Sequence, residues 1–171
     1  MTLVNTRFLS EREAEKLDPM ANCAMISITN PGAPANLKNG WPFLLRVEFA
    51  DCTYTESTIK FLGRIWPVSS YGFPEKSHAL AIIDFLNALP ASCEQVLVHC
   101  GAGVSRSAAV ARYIALHHGL PFPDDYDRYN ITVYELLENP RRFDQALASF
   151  VAEPAPPPSL WLRIKHGIGL R

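Results

Sequence analysis

The run His99-Cys100-Gly101-Ala102-Gly103-Val104-Ser105-Arg106-Ser107 leaves this chain few choices of fold. It follows a short apolar stretch, Gln95-Val96-Leu97-Val98, and leads into an Ala-rich segment closed by Gly119 and Pro121. The order reads as a buried strand, a tight loop, and a helix over Val104 to His118. The loop therefore delivers its backbone to a helix N-terminus, where unpaired N–H groups and the positive end of the dipole favour an anion. Gly101 and Gly103 let the backbone curl so that successive N–H groups point at one centre. A cysteine facing those groups and a guanidinium should be a thiolate near neutral pH, because such settings bring thiol pKa values to about 3.5–7.5.

These parts suit attack on a tetrahedral phosphate. Cys100 is the expected nucleophile, and Arg106 is placed to grip two phosphate oxygens. The N–H groups of Gly101, Ala102, Gly103, Val104, Ser105 and Arg106 would bind the substrate and stabilise equatorial charge. A buried cysteine before an ordinary glycine turn is the plainer reading. The joint presence of strand, two glycines, Arg106, Ser107 and helix argues against it.

Elsewhere the chain alternates strand-like and helix-like segments. Ser10 and Glu13 form a capping-box pattern opening a short helix over Glu11 to Leu17. Cys23 to Thr29 and Phe43 to Phe49 read as strands, the first closed by Asn30-Pro31-Gly32. Thr55 to Gly63 has helical character, and Trp66 to Pro74 reads as a loop. Leu80, Ile82, Ile83, Phe85, Leu86 and Leu89 fit a helix running to Pro90. Amphipathic segments follow at about Asp124–Leu137 and Asn139–Val151. The expected fold is α/β: a central, mainly parallel sheet of about four to five strands flanked by helices. Residues 1–151 are expected to form one catalytic domain. The Pro-rich tail 152–171, with a short apolar segment from Leu160 to Ile168, is expected to dock on it.

At His99, Cys100, Arg106 and Ser107 the sequence resembles the cysteine-dependent protein tyrosine and dual-specificity phosphatases, whose pattern is His-Cys-x5-Arg-Ser/Thr. The resemblance is most specific over residues 95–116 and looser from Met25 to Leu137. It is also similar to compact bacterial phosphatase-like proteins. It implies a phosphocysteine intermediate, no cofactor and no metal, and a phosphorylated substrate, expected to be a phosphoprotein. By the same resemblance Ser107 is catalytic, donating to the Cys100 sulfur, and His99 orients the loop from behind.

Such chemistry needs an acid for the leaving group. Asp51 ends a predicted strand, and ligands of open α/β sheets lie outside the carboxyl ends of strands. Phe49-Ala50-Asp51 also resembles the acid setting of compact dual-specificity phosphatases, although Asp51 stands 49 positions before Cys100, a longer gap than those members show. Trp66-Pro67-Val68 resembles the mobile acid loop of the larger tyrosine phosphatases, with Val68 where that family has Asp. A chance match is favoured there, and Asp51 is the expected acid, ahead of Glu56 and Glu75. Cys52 reads first as a small buried hydrophobe, and second as a thiol able to resolve oxidised Cys100.

The loop interior carries no Lys or Arg, which favours a monophosphate with little extra charge, such as phosphotyrosine. Tyr54, Trp66 and Tyr71 are the expected rim residues. The opposing reading is a weak or inactive phosphatase-like module that only binds phosphate. Sulfur transfer and arsenate reduction share a cysteine–arginine loop but fit its position or flanks less well.

Composition narrows the class further. With 16 Lys+Arg, 17 Asp+Glu and a pI near 6.5, the chain offers no basic field for nucleic acid or anionic membranes. No apolar run reaches the roughly 18 residues of a membrane span, so a cytoplasmic location is expected. Four scattered cysteines fit a reducing compartment rather than a disulfide scaffold or zinc site. Asp124 to Asp127 lacks the glycine and glutamate of a calcium loop. His117-His118, Asp84 and Arg141-Arg142 read as surface.

Overall fold

The computed structural model describes residues 3–151. The 152–171 segment, for which docking was expected, lies outside them. Four strands, β1 (Asn5–Ser10), β2 (Cys23–Thr29), β3 (Phe43–Glu48) and β4 (Gln95–Cys100), form one sheet in the order β1-β4-β2-β3, every neighbouring pair parallel. The expected α/β class holds, with four strands in an all-parallel sheet, consistent with a phosphatase-like fold. Parallel strands are covered on both faces, and β2, buried at every residue, sits where that rule bites hardest.

Alternation along β2 and β4 divides the core. Ala24, Ile26, Ile28, Val96, Val98 and Cys100 face the larger layer of helices α4 (Lys76–Ala88), α5 (Arg106–His118) and α6 (Ile131–Glu138). Met25 and Leu97 face a thinner cover built from Leu9, Ala14, Leu37 and Trp41. Cys100 and His99 therefore leave β4 on opposite faces. That step decides their roles.

The structure departs from the expected elements at several points. β1 was not foreseen, because Thr6 to Ser10 lacks a clean apolar run and the capping box dominates the local signal. The Ser10–Glu13 box itself is present, but its helix α1 spans only Glu11–Ala14 before turning. The stretch Trp66–Pro74 is not all loop. After α2 (Glu56–Leu62) and a 3-10 turn, α3 (Trp66–Ser69) begins with Pro67 in its first turn, where a missing N–H costs nothing. Strand and helix ends also shift: α6 starts at Ile131 behind the cap Asn130, and α7 (Asp144–Val151) starts five residues later than Asn139.

Trp66 and Tyr54 are not rim residues. They are 8% and 6% exposed, and their rings meet at 4.9 Å within a cluster that includes Phe73 and Phe143. The Tyr54 hydroxyl donates to the Pro74 carbonyl at 2.6 Å. Burial with a satisfied polar end is the usual arrangement for a core tyrosine. Tyr71 is 84% exposed.

Candidate active site

At the carboxyl end of β4 the chain turns through residues 101–105 and enters α5. Cys100 closes the strand at 1% exposure, with its sulfur 3.2 Å from the Ser107 hydroxyl oxygen. Burial works against ionisation of that thiol. The Ser107 hydroxyl and the N–H groups of Ser107, Val104 and Gly103 outweigh it, holding the thiol below its ordinary range. The sum favours a thiolate at the floor of an amide-lined loop.

The loop owes its shape to Gly103. Its φ is +69°, and a Cβ there would lie 2.3 Å from the Ser10 nitrogen and 2.5 Å from the Leu9 carbonyl carbon. The backbone of the β1–α1 junction thus forms a wall behind the loop. The Glu11 N–H ties the same junction to the Gly101 carbonyl at 3.2 Å. Only a residue without a side chain fits.

Arg106 is 5% exposed and anchored on one edge. Its Nη1 donates to the Phe49 carbonyl at 2.5 Å and to Asn30 Oδ1 at 3.0 Å. Its Nε has no hydrogen-bond partner, and Nη2 lies 3.7 Å from where a Gly101 Cβ would be. One edge of this buried guanidinium is fixed by protein, while its Nε, without a hydrogen bond, faces the Asp51 carboxylate at 3.9 Å.

His99 is fully buried and its Nε2 pairs with the Ser27 hydroxyl at 2.8 Å, Ser27 being its register partner on β2. Burial pushes the imidazole down to about 4. It is a neutral brace behind the strand, on the face away from the sulfur.

Asp51 follows β3 and reaches the loop. Its Oδ1 accepts from the Ser105 hydroxyl at 2.7 Å and from Asn130 Nδ2 at 2.8 Å, and its Oδ2 is 3.9 Å from Arg106 Nε. The structure thus brings Cys100, Arg106, Ser107, Ser105 and Asp51 together at one strand edge, with Gly101, Ala102, Gly103 and Val104 forming the loop. Glu56 and Glu75 are placed elsewhere: Glu56 pairs with Arg142, and Glu75 accepts from the Ser77 hydroxyl at 2.7 Å. Val68 is 83% exposed on α3. Cys52 is half-buried beside Asp51 and Arg106, and burial, then the Asp51 charge, push its thiol up against the pull of Arg106. Such a thiol favours its protonated form, and it is only partly buried, where the plainer reading has it fully so.

Three contributors escaped the sequence: Asn30, the Phe49 carbonyl and Asn130. A sequence signal existed only for Asn130. It stands three residues before Val133, whose N–H it accepts at 3.0 Å, as an N-cap does.

An all-parallel sheet, an amide-lined strand–loop–helix turn, a thiol held below its ordinary range and a buried guanidinium thus meet at the carboxyl end of β4. No protein-family model matches the chain. Over 77 residues it is 38% identical to Dual specificity protein phosphatase MPK-4 of Drosophila melanogaster. That similarity covers 44% of this chain and 18% of the fly protein, so the chain spans under a fifth of that relative's length.

Proposed function

We propose that this protein is a phosphomonoester hydrolase of the cysteine-dependent phosphatase type, acting on phosphoproteins as a tyrosine or dual-specificity enzyme. The observation that carries the reading is a buried Cys100 thiol, stabilised by the amides of the loop, with Arg106 buried at the same loop and its Nε free of any hydrogen bond. The local similarity to a dual-specificity phosphatase supports it.

In the first step the Cys100 sulfur attacks phosphorus, the S–P bond forms and the P–O bond to the leaving group breaks. Asp51 gives its proton to the departing oxygen. Amides of residues 101–106 and the Arg106 Nε and Nη2 hold the equatorial oxygens. In the second step the Asp51 carboxylate takes a proton from water, whose oxygen attacks phosphorus. The P–S bond breaks and the thiolate returns, its charge accepted by the Ser107 hydroxyl.

The test is hydrolysis of p-nitrophenyl phosphate by the full chain, with acid-quench trapping of labelled phosphate on protein. Turnover that disappears in Cys100→Ser, together with a trapped phosphocysteine in the unaltered protein, is the expected result. Tight phosphate binding without turnover would mark the protein as a binding module instead.

A further inference from the structure

Asn130 belongs to no part of the reaction described above, yet it touches both loops that carry it. It is 1% exposed at the N-cap of α6. Its backbone N–H donates to the Ser105 carbonyl at 3.1 Å, which fastens α6 to the phosphate loop. Its side-chain Nδ2 donates to Asp51 Oδ1 at 2.8 Å and to the Cys52 carbonyl at 3.1 Å, which fastens α6 to the loop after β3. Two residues further on, the Thr132 hydroxyl accepts from the Tyr54 N–H at 2.8 Å and donates to the Tyr54 carbonyl at 3.0 Å. The segment from Asp51 to Tyr54 is therefore held by α6 at both ends.

The orientation of the Asn130 amide is fixed by its own duties. Its oxygen must accept the Val133 N–H, so its NH2 group faces Asp51. Asp51 Oδ1 then meets two donors, the Asn130 amide and the Ser105 hydroxyl. A proton on Oδ1 would point at the amide hydrogens, which cannot rotate away. A proton on Oδ2 meets no hydrogen-bond donor, since the Arg106 Nε facing it at 3.9 Å makes no hydrogen bond. Oδ2 is also the oxygen that faces Arg106, 3.9 Å from Nε.

We infer that Asn130 is a positioning residue that assigns the transferable proton of Asp51 to Oδ2, the oxygen on the substrate side. The inference rests on the phosphatase reading. The titratable and charged groups facing Asp51 are Arg106 from α5 and the neighbouring Cys52 thiol, with Ser105 and Asn130 as polar partners.

Two variants test it, because both keep a capping oxygen for Val133. Asn130→Asp replaces the donor with a second carboxylate of nearly the same shape. Asn130→Ser keeps a cap too short to reach Asp51. Turnover of p-nitrophenyl phosphate and phenyl phosphate is measured from acid to alkaline pH, with thermal unfolding as a check on folding. In Asn130→Asp the alkaline limb of kcat moves up by about one pH unit, because a like charge favours the protonated acid. In Asn130→Ser, kcat on phenyl phosphate falls by about tenfold, with a much smaller loss on p-nitrophenyl phosphate and little change in KM. Equal losses on both substrates with an unmoved limb would overturn the inference while leaving the phosphatase reading intact. An unaltered protein inert toward both substrates overturns the two together.

Discussion

The Cys100 sulfur and the Ser107 hydroxyl face each other at 3.2 Å across the first turn of α5, both almost wholly shielded from solvent. One hydroxyl and three N–H groups overcome the burial that would otherwise keep this thiol protonated. Alkylation by iodoacetamide followed against pH therefore has its midpoint below that of an ordinary thiol. In Ser107→Ala the midpoint rises by about one unit, since one stabilising hydrogen bond is gone. A midpoint at or above the ordinary thiol value would contradict the electrostatics described for the loop.

Asp51→Asn is expected to slow phenyl phosphate by about a hundredfold and p-nitrophenyl phosphate by far less, because only the poorer leaving group needs a proton. Adding Val68→Asp to that variant restores nothing, since Val68 is 83% exposed on a helix whose buried residue, Trp66, serves the core. Rescue by Val68→Asp would move the acid to α3.

The cradle was legible in the sequence because its chemistry is contiguous: strand, cysteine, glycines, arginine and helix follow one another without a break. What supports it was not. Asn30, Phe49 and Asn130 come from three separate connections, and the first and second act through positions that any amide side chain or any carbonyl could fill. β1 escaped because its stability comes from pairing with β4 across some 90 positions, Asn5 with Gln95 through Ser10 with Cys100, and not from its own pattern. Tyr54 and Trp66 were misplaced at the rim for a related reason. Aromatic residues near Pro and Gly look like loop residues until a partner such as Phe143, far along the chain, shows where they are buried.

Gly103→Ala tests the wall behind the loop. A methyl group at φ +69° meets the Leu9–Ser10 backbone at 2.3–2.8 Å, which rigid main chain cannot relieve. A loss of roughly 2 kcal/mol or more in urea unfolding is expected from strain and clash together. Protection of Cys100 from alkylation by inorganic phosphate should vanish with it. A variant with unchanged stability and unchanged protection would mean that the loop does not rest on this junction.

His99 gives the protein a built-in acid sensitivity. Its imidazole is held down at about 4 by burial, against an ordinary value of 6.5. Between those values the unfolded chain binds a proton that the folded chain refuses, so stability is full above pH 6.5 and declines as pH falls toward 4. The contribution lost is at most about 3 kcal/mol at 1.36 kcal/mol per unit. Denaturation midpoints measured across this window should fall on acidification, and the slope should flatten in His99→Gln. An equal slope in both proteins would assign the effect to other groups.

Because Gly103 leans on Ser10, the loop around Cys100 depends on a segment made almost a hundred residues earlier. A ribosome releases the first strand long before the loop that needs it. The amides that hold the residue 100 thiol down rest on the junction that follows β1. The stabilisation of that sulfur is thus a property of the assembled sheet and not of the strand–loop–helix segment by itself.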